Sequence, residues 1–329
     1  MKQTSPAAPA QAVEPFRHVG LFYRDEIEYT SRCTAFLREA LALGDPAMVA
    51  VPGGGEAIRA GLGDDAGRVK FADMAVAGRN PGRIIPSVLL AFAHAHPGRR
   101  VWIIGEPIWK GRTELEYPAC ATHEALINAA FAGREATILC PYDATGLEAR
   151  ALADAERTHP LLQDAAGSRP SPAYTGPAQA AALFDEPLPA PPPHAASHTF
   201  NGTGGLPGVR AFLADCGASA GLDEWRVGDV LIAMNELATN TAEYTCGPGT
   251  VTVWLEDGTL VCQLDDSGQI TDPLAGRIPP PDHTRRGRGL VIVNELADLV
   301  RVHHRPSGTS VRLHFDRARA YQGTTGYQP

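Results

Sequence analysis

Lysine is almost absent: of 29 basic residues only Lys2, Lys70 and Lys110 are lysines, and the rest are arginines. A P-loop needs the lysine of GxxxxGK[ST] to reach the phosphates and a Schiff-base site needs a reactive amine, so both chemistries have little to draw on. A basic excess is also missing. Against 37 acidic residues the net charge is −8, which argues against a protein whose main task is gripping DNA or an anionic membrane. Long apolar runs are missing too: Ser87–Ala95 and Leu290–Val293 with their flanks fall short of the roughly 18 residues that span a bilayer. The opening MKQTSPAAPAQAVEP has prolines where a signal peptide would have its apolar region. Residues 1–15 therefore read as a disordered lead-in, residues 319–329 as a disordered tail, and the expected location is the cytoplasm, with no direct nucleic-acid partner and no membrane. The six cysteines contain no CxxC pair, which in a reducing cytosol reads as packed free thiols.

What is present is enough for two domains. The chain has 329 residues, 44% of them apolar, and can bury two cores. Eight prolines fall within the 25 residues RPSPAYTGPAQAAALFDEPLPAPPP, 169–193. Such a stretch supports neither a continuous helix nor an interior strand. It marks a linker over 166–197 between an N-terminal domain, 16–165, and a C-terminal domain, 198–318. Upstream, apolar strands (HVGLFY, AMVAVP, KFADM, RVWIIGEPIW, ATILCPYD) alternate with amphipathic helices, which predicts an α/β, doubly wound, mostly parallel sheet. Downstream, helices near Gly208–Ala220 and Asp223–Tyr244 precede TVTVWLED and LVCQLDDSG, then a helix over Gly289–Ala297, then LVRVHHR and TSVRLHF. That order predicts an α+β sandwich with helices on one face of a mixed sheet.

The second half carries the sharper chemistry. Glu236 and Asn240 stand four apart on one helix and so share a face, a spacing suited to a base and a metal ligand in one cavity. Asp265-Asp266-Ser267-Gly268 ends a strand with a carboxylate beside exposed backbone. Arg285-Arg286-Gly287-Arg288-Gly289-Leu290 sets two glycines before a helix, whose N–H groups and dipole can cradle phosphate. Gly308-Thr309 opens the last strand.

In this order, NELATN, DDSG, GRGL and GT over about Phe200–Phe315 resemble the Bergerat-type GHKL ATPase fold of histidine kinases, some chaperones and topoisomerases, and anti-sigma factor serine kinases. The resemblance implies ATP and Mg²⁺ as cofactors, Glu236 as general base, and Asn240 as the Mg²⁺ ligand. It further implies Asp266 on the adenine amino group with Gly268 and Thr309 in support, and Gly287, Arg288 and Gly289 facing the phosphates. The pattern departs from the family's DxGxG at Ile270, and prolines interrupt the stretch before Gly287 (Pro273, Pro279–Pro281). The segments PGVRAFLADC and DEWRVGDVLIAMNELATN, directly after the linker, look most like the serine-kinase branch. That branch implies a sigma factor or an anti-anti-sigma protein as partner, and a homodimer by analogy. Two alternatives stay open: a histidine kinase, for which His123-Glu124 in HEALIN mimics the start of a phosphoacceptor box, and a non-catalytic ATP-dependent binding module.

The first half, in FRHVGLFYRD, FLREALALGDPAMVAVP, GEPIW, HEALINAAF and LCPYD, resembles the MEDS sensory module of methanogen and methylotroph regulators, related to RecA-like folds. The resemblance implies sensing of an unidentified small molecule. Pocket candidates are His18 and Tyr23 on the first strand, Glu106 and Trp109 after the fourth, and His123 and Glu124.

Overall fold

A computed structural model of the chain describes residues 15–280, 284 and 287–319. The expected lead-in apart from Pro15, the tail beyond Arg319, Pro281 and the arginines Arg285 and Arg286 lie outside the described residues. The first unit runs β1 (Phe16–Tyr23), α1 (Glu26–Ala42), β2 (Ala47–Val51), α2 (Glu56–Leu62), β3 (Val69–Asp73), α3 (Met74–Ala77), a π-type turn Ile84–Leu90 leading into α4 (Ala91–His94), β4 (Val101–Gly105), α5 (Tyr117–Ala130), β5 (Ala136–Asp143), α6 (Ala149–Thr158), β6 (Leu161–Asp164) and β7 (Gly167–Pro170). The strands lie in the order β3-β2-β4-β5-β1-β6-β7, all neighbours parallel except the β6–β7 hairpin. Alternation along each strand sends successive side chains to opposite faces. Met48, Ala50, Ile103, Ile138 and Tyr142 join one core with α5 and α6, while Val49, Val51, Ile104 and Leu139 join another with α1 and α2. Both faces are thus helix-covered, which is why the strands read as continuous apolar runs.

The proline-rich stretch is more structured than its composition suggests. Pro170 ends the edge strand β7, and Pro177 starts a short helix α7 (Pro177–Leu183), where its missing N–H costs nothing. From that region Ala180 and Phe184 pack on Ala121 and Ala125 of α5.

The second unit runs β8 (Ala196–Phe200), α8 (Leu206–Ser219), α9 (Glu224–Tyr244), β9 (Gly249–Glu256), β10 (Thr259–Asp266), α10 (Gly289–Leu296), β11 (Leu299–Arg305) and β12 (Gly308–Asp316). Its sheet, in the order β11-β12-β10-β9-β8, is antiparallel throughout, which corrects the expected mixed sheet. Tight hairpins impose this. Asp257 and Gly258 both take positive φ, 47° and 80°, the two-residue turn whose twist matches paired strands. The Asp223 carboxylate caps α9 by accepting from the Arg226 N–H at 2.7 Å. Val230, Ala233, Met234, Leu237, Ala238 and Thr241 then form its buried stripe over Val251, Val253, Leu264 and Leu313.

The two units meet along α10. Asn80 is fully buried and its amide donates to the Asn294 carbonyl at 2.7 Å, while its own side-chain oxygen accepts from the Val300 N–H at 3.3 Å. Arg79 binds Asp298 at 2.9 Å and Arg83 binds Glu295 at 3.0 Å. Gly82 leaves room for this contact, because a Cβ would stand 1.9 Å from the Asn294 side-chain oxygen and displace it.

Candidate functional site

Eight residues picked out in the second domain, Glu236, Asn240, Asp266, Gly268, Gly287, Arg288, Gly289 and Thr309, all line one cavity of about 760 Å³. Its roof is α9, its floor the ends of β10 and β12, and its far wall the start of α10. Glu236 and Asn240 are half-buried on the cavity side of α9. Gly289 admits the acid: a Cβ there would lie 2.7 Å from Glu236 Oε2.

Of the acidic pair only Asp266 serves the cavity. Its Oδ2 accepts from the Thr241 hydroxyl at 2.5 Å and its Oδ1 from the Gly268 N–H at 2.8 Å. Asp265, on the opposite side of the strand, accepts from Ser310 and Gln263 and meets Arg305 at 3.4 Å. Thr309 pairs across the ladder with Asp266, and its hydroxyl donates to the Gly268 carbonyl at 2.8 Å. Gly308, at φ 142°, lets this crossing form, since a Cβ would come within 1.8 Å of the Asp266 carbonyl oxygen. Thr241, which orients the Asp266 carboxylate, is a position that the motif reading passed over. Its signal was a hydroxyl in the apolar stripe of α9, one position after Asn240. Ile270 lines the cavity with Leu264, Leu274, Leu290 and Val311, forming an apolar wall where the family's second glycine would stand.

In the first domain the six pocket candidates do not line one pocket. Tyr23 and Glu106 lie at the carboxyl ends of β1 and β4, where a parallel sheet binds ligands. Tyr23 packs its ring 4.8 Å from Tyr29, whose hydroxyl donates to Glu106 at 3.2 Å. Trp109 stacks under Arg112 at 4.0 Å and packs against the core. His18 on β1 and His123 and Glu124 on α5 are all buried, and burial lowers His18 to about 4 and His123 to about 3.

Burial pushes the Glu106 carboxyl up to about 8, against the hydrogen bond from Tyr29, with the neighbouring Asp143 adding to the rise. Below the ordinary value of 4.5 both folded and unfolded chains hold the proton; between 4.5 and about 8 only the unfolded chain releases it. Stability should therefore fall as pH rises through that window and level off above it. Glu106→Gln should flatten the slope and raise stability at pH 8 by something on the order of 4 kcal/mol. Denaturant melts at pH 5, 6.5 and 8 check this, and parallel profiles for the two proteins would refute it.

A helix presenting a carboxylate and an amide one turn apart over an antiparallel sheet, opposite an acidic strand end and a glycine-flanked helix start, defines a GHKL-type nucleotide-binding domain. Comparison with family models agrees: residues 203–315 match the histidine kinase-like ATPase domain and residues 17–160 match MEDS, the methanogen/methylotroph, DcmR sensory domain. The chain thus carries a MEDS domain followed by a histidine kinase-like ATPase domain. Among solved structures, that of the RsbU and RsbW domains of Rv1364c from Mycobacterium tuberculosis is similar at 24% identity and a TM-score of 0.31, over 40% of this chain. The match spans 34% of the length of that structure's chain. No curated protein matches the sequence. Among the described residues no helix is long and apolar enough to cross a membrane.

Proposed function

We propose that the protein is a cytoplasmic, signal-responsive serine/threonine kinase of the anti-sigma type, with a 198–318 domain that binds Mg·ATP and a 16–165 domain that senses a small molecule. The observation that carries the reading is the convergence of Glu236, Asn240, Asp266, Gly268, Gly289 and Thr309 on one cavity, of the size ordinary for a small-molecule ligand. Asp266, with both oxygens oriented by Thr241 and Gly268, faces the adenine amino group as an acceptor. Gly287, Arg288 and Gly289 offer backbone N–H groups and a cation to the phosphates. The Asn240 side-chain oxygen would hold Mg²⁺, which neutralises phosphate charge when bound. Glu236 takes the proton from the attacking hydroxyl.

The partners in this reading are a sigma factor and an anti-anti-sigma protein carrying the acceptor serine, and the kinase acts as a homodimer. A histidine-kinase reading depends on His123, which is 1% exposed inside the first domain, out of reach of a phosphoryl donor. The binding-module reading draws support from Ile270 alone.

Calorimetric titration of the full chain with ATP in the presence of Mg²⁺ tests the nucleotide site. Binding should weaken at least tenfold in Asn240→Ala and on chelating the magnesium. An affinity indifferent to both would overturn the assignment.

A further inference from the structure

His18 on β1, Glu124 on α5, Cys140 on β5 and His159 just beyond α6 come from four separate parts of the sequence and meet at one point. All four are buried, and one ligand atom of each lies within 4.8 Å of every other. His18 Nε2 lies 3.3 Å from Glu124 Oε2 and 3.4 Å from Cys140 Sγ, and His159 Nε2 lies 3.2 Å from the same Glu124 oxygen. A tetrahedral ion with bonds of about 2.0 Å to nitrogen and oxygen and about 2.3 Å to sulfur separates its ligand atoms by roughly 3.3–3.6 Å.

The surroundings decide what those ring nitrogens carry. His159 Nδ1–H donates to the Ala155 carbonyl at 2.8 Å. His18 Nδ1 faces the Asn128 side-chain oxygen at 3.1 Å, and the Asn128 amide is held in that orientation by donating to the Thr158 carbonyl at 2.7 Å. Both rings therefore direct Nδ1–H at carbonyl oxygens, the arrangement that outer partners impose on metal-ligating histidines. Their Nε2 atoms converge on the Glu124 carboxylate, where only a second ring proton or a bound cation can compensate the charge. A single thiol proton from Cys140 cannot serve two nitrogens and a carboxylate, and both Glu124 oxygens and His159 Nε2 indeed lack a hydrogen-bond partner. Converging acceptors without donors in a dry core are costly unless a cation sits between them.

We propose that His18, Glu124, Cys140 and His159 hold one divalent transition-metal ion, with zinc the best fit. The mixed nitrogen, sulfur and oxygen donor set suits zinc and disfavours magnesium or calcium, which take oxygen ligands. Four protein ligands in a buried site leave no open position, so the ion's role is to clamp rather than to react. On binding, the Cys140 S–H bond breaks, a sulfur–metal bond forms, and the proton leaves to solvent. The clamp ties the two central strands to α5, whose other side carries α7 and, with Pro118, Ala119 and Thr122, lines the cavity shared with the ATPase domain.

The test uses the full chain stripped with a chelator and reloaded with zinc or cobalt(II). One equivalent of zinc should survive gel filtration, and the cobalt form should show intense tetrahedral d–d bands with a thiolate-to-cobalt charge-transfer band. Cys140→Ser should lose the charge-transfer band, and His159→Gln should retain less than a tenth of the metal. Replacing His303 and His304, which pair with Asp185 on the surface, should change nothing. A wild-type cobalt spectrum without the charge-transfer band overturns the proposal even if the variants fail to fold. So does an unchanged equivalent of metal in both variants.

Discussion

Glu236→Gln is expected to lower phosphoryl transfer by about 10²–10⁴-fold, the usual worth of a positioned general base, while leaving ATP affinity within a few-fold of wild type. The separation follows from geometry. Glu236 stands at the α10 end of the cavity, where Gly289 makes room for its carboxylate, whereas the end proposed to take adenine is built from Asp266, Gly268, Thr309 and Thr241. The amide is nearly isosteric, so the cavity keeps its shape, but it cannot accept a proton from a hydroxyl. Asp266→Asn should do the reverse and weaken nucleotide binding by about ten- to a hundredfold, the value of a charge-assisted hydrogen bond. The checks are radiolabel transfer to an antagonist protein and calorimetry on the same preparations. Equal loss of both quantities in Glu236→Gln would show that the acid binds nucleotide rather than activating a hydroxyl.

Asp298→Ala is expected to destabilise the protein by about 3–5 kcal/mol, the cost of stranding a buried charge. The side chain joins three guanidinium groups: Arg226 on α9, Arg79 from the first domain at 2.9 Å, and Arg319 at 2.9 Å, and it also accepts from the Asp316 N–H at 2.8 Å. Arg226 is 3% exposed and would lose one of its two carboxylates, keeping Asp229, carbonyl oxygens and the face of the Phe315 ring. Arg79, already lowered to about 10 by burial and by neighbouring Arg83 and Arg319, would lose its counter-charge. Thermal and denaturant melts read the total. A loss under 1 kcal/mol would mean that Asp298 merely decorates the junction.

The residues of the candidate site were legible as a group in the sequence because its chemistry sits in short local patterns. Glu236 and Asn240 are one helical turn apart, and glycines mark the places where backbone approaches a ligand or another strand. The doubly covered first sheet was legible for a similar reason, since strands buried on both faces appear as unbroken apolar runs. What escaped had no local signature. β6, β7 and β8 are short strands of four or five residues with weak alternation, and β7 and β8 lie at sheet edges in or beside proline-rich sequence. His18, Glu124, Cys140 and His159 lie on four elements with no spacing rule to connect them, and only the parallel pairing of β1 with β5 brings the first and third together. The antiparallel pairing of the second sheet was hidden because a strand's apolar pattern does not record its neighbour's direction.

The seam at α10 has a thermodynamic meaning. The helix offers Gly289 and Leu290 to the nucleotide cavity, while Asn294 and Glu295, one turn further on, are gripped by Asn80, Arg83 and Ser87 of the MEDS domain. A short rigid element held at both ends cannot shift at one without working against the other. If a ligand of the first domain alters that grip and changes nucleotide affinity by some factor, the nucleotide must change the affinity for that ligand by the same factor. In that case coupling runs both ways along eight residues of helix, and the affinity for the first domain's ligand would depend on how much nucleotide is bound.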